Sequence, residues 1–143
     1  MWGADDPDDR KPMVWADLRY EDETTHPFGR PRPRNRVEPD TALFRVYREL
    51  VALRKQHLRL FVDGAFNWLV TDDGRRLLAY ERVLGGQRAV VAFNASDADH
   101  ELSLTVDDSY RHAYPAGDAA PVRVGSGRFR LPARTASVWI RGQ

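Results

Sequence analysis

The chain contains no cysteine among its 143 residues, which excludes disulfide frameworks and thiolate metal sites. Its histidines are far apart and lack the spacing of a zinc-binding pair; they are His26, His57, His100 and His112. An excess of one charge is also absent, because 22 Lys and Arg against 21 Asp and Glu leave a net charge of +1. This balance provides no general attraction for nucleic acid or an anionic membrane. We therefore expect no metal, no cofactor, no nucleic-acid partner and no membrane partner.

Long hydrophobic runs are missing too, since no segment approaches the roughly 20 apolar residues that span a bilayer. Met1 is followed by Trp-Gly-Ala-Asp-Asp rather than by a basic and then apolar signal. The sequence therefore predicts a soluble, unprocessed chain. The composition is that of an ordinary globular domain, with 42% hydrophobic and 30% charged residues. The hydrophobic residues are enough for one core.

Residues 1–39 show no helical or strand periodicity and are crowded with proline, glycine and charge, so we expect an extended loop. A structureless stretch of this length normally belongs to a functional loop or packs on something else, which indicates a truncated chain. Residues 40–57 instead place apolar side chains on a broad helical stripe. Asp40 suits the amino-terminal cap, and Arg54, Lys55 and His57 suit the negative end of the helix. So wide a stripe predicts a partner surface or self-association through the exposed helix face.

Residues 58–143 contain short segments rich in β-branched and aromatic residues, separated by turn signals. The predicted strands are 64–70, 77–82, 88–94, 100–104, 110–114, 122–124, 127–131 and 136–140. Residues 88–94 are almost continuously apolar, as a central strand buried on both faces would be, whereas residues 100–104 alternate like a half-exposed strand. The fold class expected is mainly β: an antiparallel Greek-key β-sandwich of about eight strands after one loop and one long helix.

The opening M-W-G-A-D-D-P-D-D-R-K-P-M-V-W carries the most specific motif in the chain. Its Asp6-Pro7, Arg10-Lys11-Pro12-Met13 and Trp15 resemble the loop after the eighth barrel strand in cyclomaltodextrinases, neopullulanases and maltogenic amylases, a subgroup of the α-amylase family (glycoside hydrolase family 13). The segment V-Y-R-E-L-V-A-L-R-K-Q-H resembles the last barrel helix of that family. L-A-Y-E-R, V-V-A-F-N and L-P-A-R-T-A-S-V-W resemble strands of its C-terminal β-sandwich.

This resemblance covers nearly the whole chain and implies a C-terminal fragment of such an enzyme. Residues 1–39 would be the substrate-side loop after the last barrel strand, 40–57 the last barrel helix and 58–143 the C-terminal β-sandwich domain. The sequence departs from the family at residues 16–39, which form a longer connection than usual. Such connections diversify barrel enzymes at the substrate face, so the specificity of the parent enzyme stays open.

The resemblance also implies a function. The parent enzyme would be cytoplasmic and would act, with retention, on α-1,4-glucosidic bonds in cyclodextrins, pullulan or maltodextrins. Retaining glycosidases need two carboxyl groups about 5–5.5 Å apart, and the family carries them on barrel strands upstream of this loop. It therefore implies no catalytic residue in this chain, while Asp6 and Arg10 would bind sugar, with Trp2 and Trp15 as weaker candidates. The alternative is that Asp6 and Arg10 only pair with each other and hold the loop's shape.

Two roles remain open for the sandwich. It is either a scaffold that packs on the catalytic barrel or an independent carbohydrate-binding module for starch. A module needs exposed aromatic side chains on one sheet face, and the candidates are Phe66, Trp68 and Tyr80, although the face that Phe66 and Trp68 share could equally be the core. For Trp68 and Trp139 we expect buried packing. The arginines that alternate with prolines are expected to form a stiff, solvated loop; they are Arg30, Arg32, Arg34 and Arg36.

Overall fold

The computed structural model describes residues 13–26, 29–117 and 120–142. The described part contains α1 (Thr41–Gln56), α2 (Leu58–Asp63), β1 (Ala65–Asp72), β2 (Leu77–Leu84), β3 (Gln87–Asn94), β4 (His100–Ser103), β5 (Arg111–Tyr114), β6 (Val122–Gly125), β7 (Arg128–Leu131) and β8 (Thr135–Arg141). All eight predicted strands are confirmed, with ends that differ from the prediction by one or two residues. The chain forms two compact units, Met1–Arg48 and Glu49–Gln143, which are described separately.

The loop of the first unit is braced by its own polar contacts. Glu23 and Asn35 exchange two backbone hydrogen bonds of 2.8 and 3.0 Å, and the guanidinium of Arg32, only 3% exposed, lies 3.0 Å from the Glu23 carboxylate. Two further ion pairs join Arg34 to Asp22 and Arg36 to Glu38. The expectation of a solvated segment is therefore wrong for Arg32, whereas the side chains of Arg34 and Arg36 stay 77% and 78% exposed.

Helix α1 begins as the sequence predicts. The Asp40 side chain accepts a hydrogen bond of 2.8 Å from the backbone N–H of Leu43, which satisfies an amide that has no partner within the helix. No residue of α1 is buried, and its apolar stripe is open, with Leu43 51%, Phe44 61%, Tyr47 63% and Val51 48% exposed. The amphipathic helix is confirmed, and its apolar stripe stays in contact with solvent.

The second unit is built on two antiparallel sheets, of order β1-β2-β3-β8-β5 and β4-β7-β6. The chain passes between the sheets after β3, β4, β5 and β7, so the core fills the space between them. That core contains Val90 from β3, Leu131 and Phe129 from β7, and Trp139 from β8. The expected β-sandwich is confirmed, as are the buried central strand β3 and the alternating strand β4.

A single asparagine ties the end of β3 to the end of β7. Asn94 is 1% exposed, and its amide nitrogen donates to the carbonyls of Ala98, Leu131 and Pro132 at 2.8, 3.1 and 2.9 Å. Its side-chain oxygen accepts from the backbone N–H and the hydroxyl of Ser96 at 3.0 and 2.7 Å. One buried amide therefore fixes the corner where the two sheets meet.

Helix α2 was not predicted, and it covers the outer face of the five-stranded sheet. Its Leu60 is 1% exposed and, with Leu53 from the end of α1, packs on a second apolar cluster of Ala89, Val91, Val138 and Ile140. His57 lies between the two helices, where burial and the nearby Arg111 lower its pKa. Both effects disfavour the charged form of His57, which is the form that the negative end of α1 would stabilise.

Candidate functional site

The predicted sugar-binding pair Asp6 and Arg10, together with Trp2, lies outside the described residues. Trp15 is described and is 54% exposed, and its backbone N–H donates to the Tyr20 hydroxyl at 2.8 Å. Within the first unit it helps to line a groove of about 540 Å³ beside the start of α1; the other lining residues are Met13, Val14, Ala16, Pro39, Asp40, Thr41, Leu43, Phe44 and Tyr47. Trp15 is thus placed where a ligand or another part of a protein could reach it, and its role stays a prediction.

The second unit carries four neighbouring aromatic rings on the outer face of its larger sheet, which we call the aromatic ladder: Phe66, Trp68, Tyr80 and Phe93. The register places Trp68 of β1 opposite Tyr80 of β2. The rings of Phe66 and Trp68 meet edge to face with centroids 4.7 Å apart, and those of Phe66 and Tyr80 stack at 5.0 Å. Tyr80 and Phe93 stack at 6.3 Å. The ladder therefore runs across three adjacent strands.

The outer half of the ladder is open to solvent. Trp68 is 58% and Phe66 43% exposed, so the expectation of buried packing for Trp68 is wrong. The reason is that β1 is the edge strand of its sheet. Helix α2 packs mainly on β2 and β3, so it leaves the outward-facing rings of β1 open. Trp139 is 2% exposed and packs on Phe129 at 5.0 Å, so burial is confirmed for that tryptophan.

A small cleft adjoins the ladder between the end of α1 and the sheet. It has a volume of about 190 Å³ and is lined by Leu50, Leu53, Arg54, Phe61, Tyr80, Val91, Phe93, Tyr114, Ala136 and Val138. Burial raises the pKa of the Tyr80 hydroxyl, although Arg82 and Arg54 act in the opposite direction. Tyr80 is therefore a neutral hydroxyl in an apolar wall, able to donate and to accept a hydrogen bond.

One arginine is fixed at the side of the ladder. The terminal nitrogen of Arg82 donates to the backbone carbonyls of Phe61 and Val62 at 2.8 and 3.1 Å, and its guanidinium carbon lies 5.7 Å from the centre of the Phe66 ring. The two hydrogen bonds hold the cation over the face of the Phe66 ring, which attracts it. Aromatic faces, a phenol hydroxyl and a guanidinium that is already bonded to backbone carbonyls suit a ligand with both apolar C–H faces and hydroxyl groups.

Two other ionisable groups of the sandwich are accounted for by its packing. Glu81 is 8% exposed; it pairs with Arg88 at 3.1 Å and accepts from Asn67 at 3.1 Å. His112 lies in β5 with its ring 5.5 Å from that of Trp139, and burial lowers its pKa. Among the described residues no group of three His, Cys, Asp or Glu side chains could hold a metal ion.

Within residues 13–26, 29–117 and 120–142, no helix has both the length and the apolar character that crossing a membrane requires. No known protein-family model matches the chain.

Several solved structures share its fold. The trehalose-6-phosphate hydrolase of Bacillus licheniformis matches with a TM-score of 0.59 and 22% identity, over 77% of this chain and 21% of that one. A debranching enzyme of Nostoc punctiforme gives 0.55 and 21%, over 78% and 23%. An enzyme described as family GH13_31 gives 0.51 and 22%, over 73% and 17%.

The chain thus spans roughly a fifth of the length of these enzymes. The comparison confirms the resemblance to α-amylase-family enzymes at the level of the fold and fits a C-terminal fragment of one. At such identities a likeness establishes fold and not activity.

Proposed function

We propose that this chain is the non-catalytic C-terminal part of a glycoside hydrolase acting on α-1,4-glucosidic bonds, and that it is a scaffold for the catalytic barrel. The observation that supports this most is the open stripe of α1. Its Leu43, Phe44 and Tyr47 are each more than half exposed. A contiguous apolar surface of this kind marks an interaction site, and a barrel is the partner that the shared fold suggests.

The stripe is large enough to matter energetically. Full burial of a large apolar side chain contributes about 1.5–3 kcal/mol, and the side chains of the stripe are about half exposed, so each would add roughly 1 kcal/mol on docking. Over Leu43, Phe44, Val46, Tyr47 and Val51, all exposed, the total is on the order of 5 kcal/mol. That is comparable to the stability of a whole domain, so a barrel that lost this contact would be markedly less stable.

The loop before α1 would complete the sugar cleft of such an enzyme. In this proposal Asp6 accepts hydrogen bonds from vicinal hydroxyls and Arg10 donates to them through its planar fork, while Trp15 offers an exposed ring. Cyclodextrin, pullulan or maltodextrin would be the substrate. Asp6→Ala and Arg10→Ala should each weaken turnover of maltotriose by the assembled enzyme and leave the melting temperature of the chain unchanged. A drop of several degrees would instead show that the pair holds the loop's shape.

The alternative is an independent carbohydrate-binding module. The open aromatic ladder favours it, because buried rings could not stack on sugar. The scaffold is preferred as the main role since a module has no use for a 16-residue helix without a buried residue. The two roles differ in their effect on the barrel: a scaffold is needed for the activity or stability of the barrel, whereas a barrel does not depend on an independent module.

The test is a two-fragment complementation. A catalytic barrel of the α-amylase family that lacks its own last helix and sandwich is produced with and without this chain, and hydrolysis of maltotriose is followed. We expect activity only with the chain, and a loss of activity with Phe44→Asp and Tyr47→Asp. Arg48→Asp is the matched control, since it changes charge on the same helix outside the apolar stripe.

Two results would oppose the proposal. A barrel that is equally active and stable without the chain would remove the scaffold role. Hydrolysis by the chain alone, surviving repurification, would show that it is not the non-catalytic part.

A further inference from the structure

We infer that the outer face of the five-stranded sheet carries a sugar-binding site of its own, formed by the aromatic ladder and the adjoining cleft, and that its ligand is a short α-glucan. The inference uses none of the residues of the loop that contains Asp6 and Arg10. Its existence is argued from the geometry of the second unit, whereas the choice of an α-glucan as ligand rests on the proposed function.

The indole of Trp68 is the part of the site best suited to stacking. Its ring makes angles of 86° with Phe66 and 85° with Tyr80, while Phe66 and Tyr80 lie within 27° of each other. No ring of the ladder is therefore stacked face to face on the indole, which is 58% exposed. A pyranose ring presents an apolar C–H face, and a large amphipathic ring is its natural platform.

The cleft supplies the concave part of the site. It shares Tyr80 and Phe93 with the ladder and has Arg54 and Tyr114 on its wall. Ligand sites are typically concave, mostly apolar and provided with a few polar groups that orient the ligand. A volume of about 190 Å³ suits one sugar ring rather than a larger ligand, so we place the end of a glucan chain in the cleft and the next ring on Trp68.

The site is held in shape before any ligand arrives. Trp68 and Tyr80 are cross-strand partners in the antiparallel pair of β1 and β2, beside a β-bulge between Trp68 and Val70, and each ring of the ladder touches at least one other ring. Arg82 is tied to two backbone carbonyls of α2. Because these side chains are already ordered, little conformational entropy is lost on binding.

The open area of the ladder argues against a second copy of the chain as its occupant. An aromatic side chain has about 150–250 Å² of surface, so exposures of 43% for Phe66 and 58% for Trp68 leave on the order of 200 Å² open. A stable protein interface needs about 800 Å² on each partner. Two sugar rings match the smaller area.

The experiment is calorimetric titration of the whole chain with maltoheptaose, and with β-cyclodextrin in parallel, up to millimolar sugar. We expect saturable heat that Trp68→Ala weakens at least tenfold and Phe66→Ala weakens several-fold, while Trp68→Phe restores part of the affinity. Val122→Ala is the matched control, because it shortens an exposed apolar side chain in β6 of the smaller sheet and should leave the affinity unchanged. Since Trp68 is exposed, the melting temperature of each variant should stay close to that of the original chain.

Several results would overturn the inference. They are the absence of saturable heat, an affinity that Trp68→Ala does not change, and a loss of binding with Trp15→Ala, which would move the site to the loop. Equal binding of cellohexaose would contradict the α-glucan as ligand. If sedimentation shows that Trp68→Ala only disrupts a dimer, the ladder is a protein interface. Failure of barrel complementation would refute the proposed function and leave these titration results intact.

Discussion

Replacement of Asn94 by alanine is expected to destabilise the sandwich more than any surface substitution. The amide is 1% exposed and contacts three carbonyls. Two of them keep another donor, because Ser96 Oγ lies 3.0 Å from the Ala98 carbonyl and Thr135 Oγ1 lies 2.7 Å from that of Pro132. The Leu131 carbonyl loses its side-chain donor in a buried place.

The magnitude follows from these contacts. Each net hydrogen bond lost costs about 1 kcal/mol, and a buried acceptor left without its donor costs about 1–3 kcal/mol. The total for Asn94→Ala is therefore about 2–4 kcal/mol. Asn94→Asp should be at least as destabilising, because it keeps the acceptor for Ser96 but faces the three carbonyls with oxygen in place of the donor.

Urea unfolding of the chain, followed by the fluorescence of buried Trp139, measures this cost. We expect a lower midpoint with an unchanged slope, since a change in slope would indicate a change in the unfolded or native ensemble. Ser103→Ala, at an exposed position of β4, is the control and should stay within about 0.5 kcal/mol. A cost for Asn94→Ala below about 1 kcal/mol would refute the reasoning, because it would mean that the corner does not depend on this amide.

Three further predictions concern the same unit. Ser137 is fully buried and its hydroxyl has no hydrogen-bond partner, so Ser137→Ala should be neutral or stabilising by up to about 1 kcal/mol in urea unfolding; a clear loss of stability would reveal a missed partner. Gly127→Ala should cost more than Gly85→Ala: both glycines have positive φ, but a Cβ at Gly127 would lie 2.7 Å from a backbone oxygen, whereas nothing lies within 4 Å at Gly85. Equal melting temperatures for the two variants would contradict the predicted clash. Folding lowers the pKa of His57 and His112, so the unfolded state binds more protons near those pKa values. The free energy of unfolding should therefore fall as the pH drops from 7 through the usual histidine range, and His112→Gln should make this fall smaller. A free energy of unfolding that does not change over that range would contradict the prediction.

The sequence determines most strands because their patterns are local. The apolar run 88–94 is typical of a strand covered on both sides, and β3 is the centre of the larger sheet. The cap at Asp40 is equally local, since the acceptor and the amide that it satisfies lie three residues apart. Helix α2 could not be predicted in this way, because six residues are too few for a helical period to be distinguished from an apolar turn.

The candidate site depends on information that is not local. Alternation shows that Phe66 and Trp68 share a face, but it does not show which face of the sheet meets the other sheet. That is decided by the packing of Leu77, Ala79 and Val90 against β4 and β7, on the opposite side. The position of Tyr80 opposite Trp68 likewise follows from the register of β1 and β2. The signal that could have found the exposed tryptophan is the edge position of β1 together with its two aromatic side chains.

The lowered pKa of His57 also depends on contacts that are not local. The sequence places a basic residue at the end of a helix, where a cation is favoured by the dipole. The turn into α2 buries the imidazole, and Arg111 of β5 lies close enough to repel a proton. Neither contact is visible in the local sequence, because the second comes from a strand more than fifty residues later.

The measurement that tests the central claim most directly is hydrogen exchange of α1 with and without a catalytic barrel of the α-amylase family. The account predicts that the backbone amides from Leu43 to Val51 exchange quickly in the chain alone, where the helix has no buried residue, and are protected when the barrel covers the apolar stripe. Unchanged exchange of these amides in a complex that hydrolyses maltotriose would contradict the claim that α1 is the docking surface of a scaffold.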